Sequence, residues 1–307
     1  MTKKKIVKKK ISTKKISKKY GNKSHSDIAA KALKCSPSDI CFLLRTCDED
    51  LKAYQGFQWP SSGLVSAPDW DPKPSCGNGL HGLLSGEGDG SLLNNAEAAK
   101  WMVIAAVRSE VVQIDRKVKV PRAYVCFVGT KKEATDLIVS LCPGSACVYA
   151  MVTSGDRGNS TSGDYGNSTS GNYGNSTSGD RGHSTSGNGG NSTSGNYGNS
   201  TSGDRGNSTS GDYGHSTSGY CGHSTSGNGG HSTSGKNGIV EWKYWDGKRN
   251  RIKTLYVGEP SEALSGAAGE GEIKAWHVYY LNEKFEVEDK GHGPSIGIET
   301  GMMAISK

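Results

Sequence analysis

Ten copies of one octapeptide, Gly-Asx-x-Gly-(Asn/His)-Ser-Thr-Ser, run without insertion from Gly155, Gly163, Gly171, Gly179, Gly187, Gly195, Gly203, Gly211, Gly219 and Gly227. The second position departs from Asx only at Tyr220, and Val, Ile, Leu, Phe and Lys are absent from residues 155–234. Such a segment has nothing large and apolar to offset the loss of chain entropy, so its composition alone describes disorder. Its register argues otherwise. A flexible linker needs only composition and has no use for glycine at every eighth place.

The octad divides into two chemically distinct halves. Gly-Asx-x-Gly is turn chemistry, in which glycine permits positive φ and the Asx side chain bonds nearby amides. Asn/His-Ser-Thr-Ser can run extended. One turn and one short strand make half a coil, so two octads close a 16-residue rung and the ten octads make five. At about 4.8 Å per rung the stack is on the order of 24 Å long. The expected fold is mainly β: a narrow parallel β-solenoid with two octads per coil, an N-terminal α+β domain and a C-terminal β-hairpin cap.

Alternation along the strand decides which side chains face inward. The fifth position is Asn at 159, 167, 175, 191, 199 and 207 but His at 183, 215, 223 and 231, a variation that a core two small side chains thick does not accept. The serines therefore point in, and Asn/His with Thr points out. Backbone ladders and inward hydroxyl bonds must hold such a core. The expected display surface is the unbroken row Thr161, Thr169, Thr177, Thr185, Thr193, Thr201, Thr209, Thr217, Thr225 and Thr233, together with Asn159, Asn175, Asn191 and Asn207. The third position accepts Arg, Tyr, Gly and Cys, which places it at an exposed corner. Tyr197 and Tyr213 then stack on adjacent rungs, as simple packing or as an edge for self-association.

Outside the array the chain divides into a lysine-rich arm over 1–26, a small α+β domain over 27–147, a solenoid over 148–242, and a cap and tail over 243–307. The first 23 residues hold eleven lysines and no acid, so that +11 leaves the remaining residues at −4 within the net +7. A run of like charge is usually a solvated, disordered arm. Its polyanion reading, nucleic acid included, rests on Lys3, Lys4, Lys5, Lys8, Lys9, Lys10, Lys14 and Lys15. The arm has no apolar signal core, and no stretch is long enough to span a membrane, which points to a cytoplasmic or virion-associated protein without membrane insertion.

Asp27 to Lys34 is a short helical candidate and Lys131 to Leu141 an amphipathic one; Cys41 to Arg45 and Val118 to Val128 read as strands. Asn95 to Val107 starts with helical composition and becomes strand-like. After the array, Ile239–Trp245 and Arg249–Val257 flank Asp246-Gly247, a strong hairpin signal. Ile273–Leu281 and Lys284–Glu288 form a second hairpin around Asn282-Glu283, and two hairpins there cover the open end of a solenoid.

Ser-Gly-Asp-Arg-Gly-Asn-Ser-Thr-Ser-Gly resembles the octapeptide arrays of an uncharacterised bacterial and phage family, whose units are commonly Thr-Ala-Thr-Ala-Gly. The likeness extends to Gly56-Phe57-Gln58-Trp59-Pro60, Ala67-Pro68-Asp69-Trp70-Asp71-Pro72, Cys76 to Gly82, Gly86 to Gly90, Lys117 to Arg122 and Tyr244-Trp245-Asp246-Gly247, covering about residues 40–257. It implies a small domain followed by an array, with no settled activity. More distantly, the array is similar to ice-nucleation proteins, whose 16-residue coils carry outward Thr-x-Thr rows. Here one Thr of each pair is replaced, and few rungs imply weak rather than strong nucleation.

Chemistry is sparse. The eight cysteines lack the paired spacing of a zinc site and read as free, mostly buried thiols. Cys76 and His81 are a nearby thiol–imidazole pair without a visible orienting group, around the tight turn Gly77-Asn78-Gly79. Tyr54, Gly56 and Gly79-Leu80-His81 distantly resemble ADP-ribosyltransferase-type folds, without an acidic catalytic motif. Glycines 86–90 lack the Lys-Ser/Thr of a phosphate loop. The expected protein is a non-enzymatic scaffold or surface-binding protein with no cofactor or metal. The alternatives are an ice-binding protein, and an enzyme in residues 40–147 with the solenoid as spacer.

Overall fold

Ser24 opens the first helix through a capping box: its hydroxyl accepts the Asp27 amide while the Asp27 carboxylate accepts the Ser24 amide. The helix, α1 (His25–Leu33), buries Ala29, Ala30 and Leu33 and stops at Lys34 in the left-handed region. The computed structural model describes residues 24–245, 248, 250–257, 277–281 and 287–292. The expected lysine contacts and the turns at Asp246-Gly247 and Asn282-Glu283 lie outside the described residues.

Seven strands follow: β1 (Ile40–Cys47), β2 (Gly63–Ser66), β3 (Leu80–Leu84), β4 (Lys100–Val107), β5 (Val112–Ile114), β6 (Lys117–Val120) and β7 (Arg122–Gly129). They form one antiparallel sheet in the order β2-β7-β4-β1-β3-β6-β5. A second helix, α2 (Lys131–Leu141), starts on a capping box between Thr130 and Glu133. With α1 it covers one face of the sheet, over Phe42, Leu44, Trp101 and Val103. The other face packs Leu43, Met102, Ile104 and Val125 with Trp59 from the connection between β1 and β2.

Two expected elements change. Val118 to Val128 is two strands, because Pro121 has no amide for a ladder and the chain turns away there. β6 and β7 then lie with β4, β1 and β3 between them. The helical start expected at Asn95 is absent: the Asn94 side chain accepts the Ala96 amide, an Asx turn that competes with helix.

The chain enters the solenoid directly from the domain core, to which Cys147, Val148 and Ala150 belong. Each octad contributes one short strand, and strands pair in parallel with the strand 16 residues on, as Asn175↔Asn191 and His183↔Asn199 show. Alternate strands build two sheets, one on each side of the coil. Six parallel strands per sheet replace the expected five rungs, because a divergent octad extends the array at each end. Met151–Thr153 pairs with Asn167–Thr169, and Gly238–Trp245 pairs with His223–Ser226.

Inward positions in the array are serine, from Ser160 to Ser234, each at most 4% exposed. The last coil replaces them with Val240 and Trp242, opposite Ser224 and Ser226, and the first places Val152 opposite Ser168. The polar core is therefore closed by apolar side chains at both ends. Asn250–Val257 pairs antiparallel with Gly238–Trp245, His277–Leu281 lies antiparallel to His231–Ser234, and Val287–His292 pairs with His277–Leu281. These strands cover both sheets at the C-terminal end, as a solenoid needs. Among the described residues no helix is long and apolar enough to cross a membrane.

Candidate binding surface

The turn half of the octad fixes everything that projects from it. In each turn the amide of the second glycine donates to the carbonyl of the first, as from Gly198 to Gly195 at 3.2 Å. Positive φ falls on the residue between Asx and Gly: 56° at Tyr197, 55° at Arg205, 53° at Cys221. This corrects the expectation that the repeated glycines supply positive φ. They are needed for close approach instead. A Cβ on Gly195 would lie 2.2 Å from Oδ1 of Asp180, and one on Gly198 would lie 2.8 Å from Cβ of Ser194.

The Asx side chains reach along the stack. Asp156 Oδ1 accepts the Asn172 amide, Asn172 Oδ1 the Asn188 amide, and Asn188 Oδ1 the Asp204 amide, each at 2.8 Å. A second column repeats this from Asp164 through Asp180, Asn196 and Asp212 to Asn228. The Tyr220 amide donates to Asp204 Oδ1, and in place of an Asx oxygen its phenol accepts the Asn237 side-chain amide at 3.1 Å.

Within the core, Ser184 Oγ donates to the Thr193 carbonyl and Ser192 Oγ to that of Thr201, each at 2.5 Å. These bonds cross from one sheet to the other. Ser178 Oγ and Ser184 Oγ lie 3.0 Å apart, so the two inward serines of successive octads also touch. The inward-serine assignment holds throughout the ten octads.

Outward, the two faces differ. One carries Asn159, Asn175, Asn191 and Asn207 in register. The side-chain amides of Asn175, Asn191 and Asn207 each donate to the carbonyl oxygen of the asparagine before them, at 3.2, 2.9 and 2.9 Å. Thr161, Thr177, Thr193 and Thr209 run beside them on the same strands. The other face carries Asn167, His183, Asn199, His215 and His231 beside Thr169, Thr185, Thr201, Thr217 and Thr233. Thr225 and Thr233 are only 8% exposed and stand outside the open array. Thr225 lies beneath Glu241, and the strand of Thr233 is flanked by His277–Leu281.

The exposed third positions form a column along one corner. Tyr149 stacks on Tyr165 with ring centroids 4.9 Å apart, and Tyr197 stacks on Tyr213 at 5.2 Å. The Arg181 guanidinium sits between the pairs, 5.6 Å from the rings of both Tyr165 and Tyr197. The expected Tyr197–Tyr213 stack is thus the end of a longer column that starts inside the N-terminal domain, where Trp101 meets Tyr149 edge-on.

Among the described residues no hydrogen bond joins Cys76 to His81. Lys117 Nζ instead lies 3.1 Å from the Cys76 sulfur, and this contact holds the thiol below its usual range. Burial, aided by Lys117, Arg45 and Lys119, pushes the His81 imidazole down to about 4. All eight cysteines are free thiols, with Cys41, Cys47 and Cys147 buried. Among the described residues no group of three or more His, Cys, Asp or Glu side chains converges as a metal cluster.

Known proteins match part of the chain. An ice nucleation protein of Xanthomonas campestris pv. translucens is 37% identical over 102 residues, covering 33% of this chain and 6% of that protein. One from Enterobacter agglomerans is 37% identical over 103 residues, 33% of this chain and 8% of that protein. One from Pseudomonas syringae is 33% identical over 102 residues, 33% of this chain and 9% of that protein. The chain spans a tenth or less of the length of the curated relatives it matches. No family model and no solved structure matches it. The chain is a surface-presenting β-solenoid that shares a distant, partial homology with several ice-nucleation proteins.

Proposed function

We propose that the solenoid presents its asparagine–threonine face to ordered water, and that the protein binds ice with weak nucleating power. The asparagine ladder carries this reading. Amides that bond to one another lose their rotamer freedom on folding, so the adjacent threonines and asparagines meet a surface already ordered, at about 4.8 Å spacing. The relatives are named for ice nucleation. An array of six coils, bounded at both ends, offers a small area and so favours binding over strong nucleation. The N-terminal domain serves in this reading as the leading cap, since Gly86 accepts the Val148 amide and Arg116 pairs with Asp164 at 3.0 Å.

The test is ice recrystallisation with the full chain. Thr177→Lys with Thr193→Lys alters the asparagine face; Thr185→Lys with Thr201→Lys alters the other. Inhibition of crystal growth is expected from the wild type and from the second pair but not from the first. Equal behaviour of all three chains overturns the proposal.

A second reading is self-association along the corner column, favoured by the exposure of Tyr197 and Tyr213 at 57% and 53%. Sedimentation of Tyr197→Ser with Tyr213→Ser against the wild type tests it. The lysine arm adds a polyanion contact on the strength of its charge alone, which salt-dependent retention on nucleic acid examines. Eight free thiols support a reducing compartment, as in cytoplasm, over an oxidising one.

A further inference from the structure

Two imidazoles meet on the face that lacks the asparagine ladder. His215 and His231 are register partners on adjacent parallel strands, their ring centroids 4.7 Å apart and their planes inclined by 41°. His183 Nδ1 lies 3.2 Å from the Asn199 amide nitrogen, and His223 Nε2 lies 3.2 Å from the Glu241 carboxylate. We propose that His215 and His231 form a two-imidazole site for a late first-row divalent cation such as Ni²⁺, Cu²⁺ or Zn²⁺, with water completing the coordination shell.

The geometry suits such an ion. Imidazole nitrogen binds these metals at about 2.0–2.1 Å, so two ligands of one ion must place their nitrogens within about 4 Å of each other. Parallel strands about 4.8 Å apart hold the two rings 4.7 Å apart, so side-chain rotation alone, without backbone movement, brings one nitrogen of each into that range. Rings inclined by 41° open toward one side, where parallel stacked rings would leave no room between them. His215 is exposed and His231 half-buried, so solvent reaches the pair and can fill the remaining positions. Imidazole ligands favour copper, nickel and zinc over magnesium and calcium, which take oxygen. The ladder holds both strands in register, so the ligand spacing is fixed before the ion arrives.

Ni²⁺ titrated calorimetrically into the full chain tests the site. His215→Asn and His231→Asn are chosen because asparagine already occupies this row at Asn167 and Asn199, and circular dichroism verifies that each variant folds. The expected result is one Ni²⁺ per chain, lost in either variant and in the double variant, and kept in His183→Asn. Wild-type binding no greater than that of the double variant overturns the proposal, and so does undiminished binding by His215→Asn.

Discussion

Asp180 Oδ1 accepts the amide of Asn196 at 2.8 Å, sixteen residues on and one coil away. The same oxygen occupies the space where Gly195 would carry a Cβ, which ties the invariance of the first glycine to the Asx position in the neighbouring coil. An Asx side chain without that glycine would clash; a glycine without the Asx would leave an amide with no partner. The octad is thus written by contacts between coils more than by its own turn.

Asp180→Ala should lower stability by about 1 kcal/mol, the ordinary net value of one such bond. Asp180→Asn should be close to neutral, because Asn172 and Asn188 make the same contact with an amide oxygen. Urea midpoints of the three chains decide it. A neutral alanine, or an asparagine as damaging as alanine, would remove the Asx ladder from the account.

Ser200 reports on the core. Its hydroxyl donates to the Thr209 carbonyl at 2.5 Å and lies 3.1 Å from Ser194 Oγ. Ser200→Ala should cost about 1 kcal/mol through the lost bond. Ser200→Val adds apolar volume to a space two hydroxymethyl groups wide, and overpacking of this kind costs about 1–3 kcal/mol. The more hydrophobic residue should therefore be the more damaging. A valine variant with a raised midpoint would mean that width does not limit this core.

Much of the solenoid is legible in the sequence, for a physical reason. Repetition fixes the coil at two octads, and the Asn/His variation at one position cannot be buried, so the inward serines follow. The divergent end octads are hidden because their inward residues border serine on one side only and a cap on the other. Residues 147–154 keep only Thr153-Ser154 of the pattern, and residues 235–242 keep Gly235 and Gly238. Those remnants, at the right spacing, were the available signal. The glycine–Asx contact is harder to read, since Gly195 and Asp180 meet only once the coil has closed. In the N-terminal domain, the helix over 131–141 carries its own capping box and is readable. The strand Gly63–Ser66 is not, because its hydrogen-bonding partner β7 lies far along the chain. On the display face, register alone places Asn159 to Asn207 in one row; that their amides bond to one another needs side-chain geometry.

Trp242 offers a test of the apolar closure. It occupies an inward position that is serine in every complete octad, and it is 1% exposed. Trp242→Ser moves this coil toward the repeat consensus, yet it removes a large buried side chain and should cost about 3–5 kcal/mol, as large-to-small core changes do. The loss should be local. Hydrogen exchange is expected to quicken first in the strands His223–Ser226 and Gly238–Trp245, while Asn175–Thr177 keeps its protection. Uniform acceleration along all coils would mean that the solenoid opens as one unit and that the closure acts globally.

His81 sets a pH dependence whose sign follows from its surroundings. Burial, then the nearby cations Lys117, Arg45 and Lys119, hold the folded imidazole at about 4 against an ordinary value of 6.5, with Asp69 opposing them weakly. Between those values the unfolded chain binds the proton and the folded chain does not. Stability from this group is therefore present above pH 6.5, falls as pH is lowered through the interval, and levels off below about 4. His81→Gln has no proton to gain, so the difference in denaturation midpoint between wild type and variant should change with pH only within that interval. The imidazole is only partly buried, and solvent screening makes the change smaller than the full displacement from 6.5 to about 4 would give. Proton NMR of the His81 ring in the folded chain measures its titration directly, and a midpoint near 6.5 would refute this account of the electropositive face around Lys117 and Lys119.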